Sequence, residues 1–150
     1  MKLAKEFLKL YLPKHKINIS IQRKKLNDNY GELYIDDHNY RPRSFVIYID
    51  KEINNELYTK TLLHELWHIY QFVTGTVKIK HNRTYHNNID VTDEPEENLE
   101  FEQEAERMET ELKKIFLTTL VIWMIDICCY LCKVNQKEKY DRNLRNTRMG

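Results

Sequence analysis

Apolar residues recur three and four positions apart over the first dozen residues, where Leu3, Ala4, Phe7, Leu8, Leu10 and Tyr11 precede Pro13. This period predicts a short amphipathic helix over residues 2–12. The period then drops to two. Ile17, Ile19 and Ile21 alternate with Asn18, Ser20 and Gln22, Leu33 and Ile35 alternate within Gly31–Asp36, and Phe45–Ile49 form a short apolar run. Turn-forming clusters, Asn27-Asp28-Asn29-Tyr30-Gly31 and then Asp37-His38-Asn39 with Arg41-Pro42-Arg43, separate the runs, so a small three-stranded antiparallel meander is expected. The helical period returns in Leu62, Leu66, Ile69 and Val73, flanked by Leu63, Trp67 and Tyr70. Asp50 suits the cap of this helix, Ile53 its start and Gly75 its end. No period is evident from Thr76 to Thr92, which is expected to be a long connection carrying His81, Asn82, His86, Asn87 and Asn88. Thr92 or Asp93 then suits the cap of another helix with Pro95 in its first turn.

Residues 115–132 form an apolar run with a single charge, Asp126, between Lys113-Lys114 and Lys133. Its length is close to the minimum for crossing a bilayer, while Asp126 opposes insertion; a membrane anchor and a core-packed helix fit it equally. The expected organisation is therefore an α+β domain over 1–112, an apolar helix over 113–134 and a basic, flexible tail over 135–150.

Composition narrows the classes. The 24 basic and 23 acidic residues nearly cancel, which argues against a surface devoted to nucleic acid. Acidic residues concentrate between Asp93 and Glu111, and basic ones in the N-terminal quarter and the tail. Cys128, Cys129 and Cys132 crowd onto one segment and form no disulfide framework, so a reducing, cytoplasmic setting is expected, membrane-anchored if 115–132 inserts. The N-terminus lacks the unbroken apolar run of a secretory signal.

The candidate chemistry lies in His64-Glu65-Leu66-Trp67-His68. Two histidines one helical turn apart project from the same face and can occupy adjacent corners of a zinc tetrahedron, and the glutamate beside the first can act as general base on a water. The metzincin extension is excluded, because Gln71 and Thr74 stand where it requires Gly and His.

His64-Glu65-x-x-His68 followed by Glu102-x-x-Ala105-Glu106 resembles the gluzincins, especially the compact minigluzincins and related phage-type and ImmA-like peptidases. The likeness covers roughly residues 1–112, in element order as well as motif. It implies a zincin-like fold, a Zn²⁺ ion on His64, His68 and Glu102, Glu65 as the catalytic base and a protein or peptide as substrate. It also implies Ala105 as the small residue that lets two helices approach and Glu106 as the acid behind a ligand histidine. A shifted register would bring Glu100 or Glu104 to the metal. Phe45–Asp50 resembles the edge strand on which such peptidases hold extended substrate, and Tyr85 or His86 is a candidate oxyanion donor. His64-Glu65-Leu66-Trp67-His68-x-x-Gln71 with the later Tyr85-His86-Asn87 also resembles the SprT-like peptidases, which implies His81 or His86 as third ligand and a link to DNA. A non-catalytic zinc-binding module is the remaining alternative. The glutamate version is preferred, since the segment after His86 continues as Asn88-Ile89-Asp90-Val91-Thr92 without the helix start the SprT-like pattern needs.

Overall fold

The computed structural model describes residues 2–37 and 39–118, and the chain divides into two compact units, Met1–Lys113 and Lys114–Gly150. The first unit is α+β. It contains α1 (Lys2–Tyr11), β1 (Asn18–Lys24), β2 (Gly31–Ile35), β3 (Ser44–Asp50), α2 (Asn55–Thr74), β4 (Val77–Lys80), β5 (Arg83–His86), β6 (Ile89–Asp90) and the start of α3 at residue 100, after a 3-10 turn over Glu96–Asn98. In the second unit the described residues, 114–118, are helical. Most of the apolar run 115–132, its cysteines and the basic tail lie outside the described residues. Among the described residues, no helix is long and apolar enough to cross a membrane.

The first sheet is mixed rather than an antiparallel meander. Its order is β1-β3-β2, with β1 parallel and β2 antiparallel to β3. Burial decides which strand takes the centre: Phe45, Ile47 and Ile49 of β3 are fully buried, whereas β1 and β2 carry exposed polar residues at every second position. The segment expected to turn tightly at Asn27–Gly31 instead carries the chain past the end of β3 to its other side. Asp50 fastens that passage, its carboxylate accepting from the N–H groups of Leu26 and Glu52, each at 2.6 Å. These bonds hold its pKa below the usual value. So Asp50 does not cap α2, and β3, being central, has no free edge for a substrate; the free edge beside α2 belongs to β2.

Asn54 caps α2 by accepting from the Leu57 N–H at 2.9 Å, and Gly75, at φ 84°, ends it with an N–H bond to the Gln71 carbonyl. The left-handed φ is one that glycine adopts without steric cost. Leu62, Leu63, Leu66, Ile69 and Val73 pack with Ala4 and Phe7 of α1, Leu12 and the β3 side chains to form the core, which Phe101, Ala105 and Leu112 of α3 extend.

The expected long connection folds into a second antiparallel sheet, β4-β5-β6. Two-residue turns make it compact: His81-Asn82 and Asn87-Asn88 all have positive φ, between 50° and 70°, as hairpin turns of the primed type require. Thr92 serves this sheet, accepting from the Thr84 N–H and donating to Asp90, and is thereby taken from the helix cap expected of it.

Candidate metal centre

On α2, His64, Glu65 and His68 emerge at the edge of the apolar stripe, facing a cleft of about 790 Å³ between β2, α2 and α3. Ala105, fully buried on α3, is small enough for α3 to pack closely on α2, and this brings Glu102 over the two histidines. Glu102 Oε2 lies 3.2 Å from His68 Nε2 and 3.4 Å from His64 Nε2, and the two Nε2 atoms are 3.0 Å apart.

Surrounding groups fix which atoms are free. Gln71, 1% exposed, donates from its amide nitrogen to the Phe101 carbonyl at 2.9 Å and to Glu104 at 2.8 Å, so its amide oxygen must face His68 Nδ1, 2.9 Å away. An oxygen there can only accept. The Nδ1 of His68 therefore carries the proton, and its Nε2 presents a lone pair to the cluster. Behind His64 the corresponding group is Glu109, buried at 6% exposure, whose Oε2 stands 3.6 Å from Nδ1 while its Oε1 takes a 2.9 Å contact from Lys60. That distance is beyond a hydrogen bond, but a carboxylate facing Nδ1 favours the same tautomer. With both histidines neutral in this tautomer, three acceptor atoms converge, an arrangement that a shared cation relieves, either a proton taken up by a histidine or a metal ion. These three residues could hold a metal ion.

Titration behaviour agrees with that field. Burial opposes ionisation of Glu102, but its bonds to His64 and His68 outweigh it and bring the carboxyl down to about 2. Burial also opposes protonation of His68, yet Glu102, Gln71 and Glu65 together raise its pKa. Glu65 behaves oppositely. At 6% exposure, desolvation pushes its carboxyl up, with His68 and His64 only partly compensating, and it accepts no hydrogen bond among the described residues.

The other sequence candidates sit elsewhere. His81 is a turn residue, His86 packs on Phe101 with its Nδ1 3.6 Å from Glu100, and Glu104 is engaged by Gln71. Neither Tyr85 nor His86 lines the cleft. Glu106 is exposed, and the acid behind His64 is Glu109 instead. Glu109 was legible in principle: it shares a helical face with Phe101, Ala105 and Leu112, and a carboxylate inside an apolar stripe needs a buried partner.

No protein-family model matches the chain, and no curated protein or solved structure matches it.

Proposed function

We propose that this protein is a zinc-dependent metallopeptidase of the compact gluzincin kind, with His64, His68 and Glu102 as ligands and Glu65 as general base. One observation carries the metal assignment. Zinc bonds of about 2.05 Å put the corners of a tetrahedron about 3.3 Å apart, and the three ligand atoms are 3.0, 3.2 and 3.4 Å from one another. Zn²⁺ in this place supplies Lewis acidity, making a water molecule easier to deprotonate and a peptide carbonyl easier to attack.

The chain's own residues supply the remaining needs. Glu65 has an unpartnered carboxylate in the cleft and a raised pKa, which suits a group that takes a proton from water and returns it to the leaving amine. Gln71 and Glu109 orient the histidines. The free edge of β2 suits an extended peptide. Asp50 N–H bonds to the Tyr30 carbonyl and Asp36 N–H to the Ser44 carbonyl. By the alternation of an antiparallel ladder, Gly31 and Leu33, which both line the cleft, turn their backbone groups outward. A substrate pairing there would lie alongside Glu65.

The test compares Glu65→Gln with wild type on an unbiased peptide mixture. Equal metal content with hydrolysis reduced by roughly 10²–10⁴ is expected for loss of a general base. Full activity in Glu65→Gln, or no cleavage by zinc-loaded wild type, would overturn the proposal.

A further inference from the structure

Besides the ligands and the base, the cleft is lined by four other glutamates and one lysine, and their pairings divide them sharply. Glu109 is tied to Lys60, the cleft's one basic side chain among the described residues, and Glu32 to Lys24 at 3.1 Å. Glu96, on the 3-10 turn, and Glu106, one turn beyond Glu102 on α3, are exposed and make no ion pair within 4 Å among the described residues, although Glu106 acts at longer range on Lys60. A second observation, independent of this charge, points to a ligand in the cleft. Glu65 is 6% exposed as a residue, its side chain lines this space, and its carboxylate has no hydrogen bond among the described residues.

The geometry points to a substrate class: peptides with lysine or arginine near the cleaved bond, selected by Glu96 and Glu106. The inference rests on the peptidase reading of the site and adds a preference to it. Even a divalent cation at the triad leaves the cleft walls net negative: six glutamates line it against Lys60, the Lys24 that pairs with Glu32 and two metal charges. Acidic peptides meet like charge on entering, which is as strong a source of selectivity as the attraction of basic ones. Glu96 and Glu106 are neither proposed ligands nor the base; they determine specificity and are not catalytic.

Binding separates this inference from its parent. Zinc-loaded Glu65→Gln full-length protein is titrated with three fluorescent decapeptides of one length, rich in Lys/Arg, in Gln or in Glu, at low and high salt. The basic peptide is expected to bind at least about tenfold tighter than the acidic one, with the difference shrinking in salt. In Glu65→Gln carrying E96Q and E106Q, the preference should fall to within about threefold while the Gln-rich peptide binds as before. Equal binding of basic and acidic peptides overturns the inference, as does a preference that survives the double substitution. Hydrolysis by wild type without charge preference overturns the inference alone; charge-selective binding without hydrolysis upholds the selection and overturns the peptidase reading.

Discussion

The two helices that meet at the candidate metal centre are built in different ways. α2 is specified locally: Asn54 caps it, Gly75 ends it, and its apolar stripe runs from Leu62 to Val73. His64, Glu65 and His68 hold their mutual spacing wherever the helix goes. α3 has one buried face, Phe101, Ala105, Glu109 and Leu112, and that face fits only because α2 is there. Gln71 bolts α3 to α2 through Phe101 and Glu104, and Lys60 does so through Glu109. One helix therefore carries the motif, and the pairing of the two completes the triad.

Substitutions should separate local from paired contributions. The largest effect is expected from His68→Ala, which removes a proposed ligand; zinc stoichiometry should fall to background, and Glu102→Ala should match it despite lying on the other helix. Retention of one zinc per chain by Glu102→Ala would break the assignment of α3 to the site. Ala105→Leu should come next, because an added side chain at a fully buried contact forces the helices apart. A cost of about 1–3 kcal/mol in urea unfolding is expected, with zinc affinity lost and the helicity of α2 retained by circular dichroism. Gln71→Ala removes the partner of His68 Nδ1 and the donor to the Glu104 carboxylate. It should cost about 1–3 kcal/mol and weaken zinc binding roughly 10–100-fold, read by competition with a chelator. Asn54→Ala, which touches only the local definition of α2, should cost about 1 kcal/mol and leave zinc affinity unchanged.

The same pairing has a pH signature in metal-free protein. Glu102 is depressed from 4.5 to about 2 in the folded chain, so its contribution is present above the unfolded value and is lost as pH falls toward 2. His68 is raised above 6.5, so its contribution is full below 6.5 and is lost as pH rises through the folded value. The two overlap between 4.5 and 6.5. Thermal unfolding with chelator present should show the pair's greatest stabilisation in that window, and Glu102→Gln should flatten it. Zinc bound as proposed would have to displace the His68 proton, so proton release on binding, measured by calorimetry in two buffers, is expected below the raised pKa.

How much of this was legible follows the same division. The His64, Glu65 and His68 spacing is a property of four consecutive peptide units and can be read directly. The helix boundary at Gly75 and the stripe from Leu62 to Val73 are equally local, and both are as the pattern indicates. Glu102 could be singled out among the acidic residues of 93–111 only through a resemblance, since nothing in its own neighbourhood distinguishes it from Glu100 or Glu104. Sheet order was hidden for a related reason. The turn residues at Asn27–Gly31 announce a change of direction without saying on which side of β3 the chain returns, and that choice is made by burial of Phe45, Ile47 and Ile49. The second sheet was overlooked through its turns: His-Asn and Asn-Asn accept positive φ nearly as well as the Asn-Gly pair usually sought.

The central position of β3 also bears on how the chain finds its structure. β2 and β3 pair across a short connection, whereas β1 joins β3 only after the chain has passed the end of that pair. Contacts between near neighbours in sequence lose less chain entropy, so the β2–β3 hairpin, with Gly31 lying over Glu65, is expected to form early and β1 to dock late. A destabilising change in β1, such as Ile21→Ala, should then quicken unfolding and barely slow folding in a chevron measurement. The same loss at Leu33 of β2 should appear mostly in the folding limb. Under that order the wall of the cleft stands before the sheet behind it is complete.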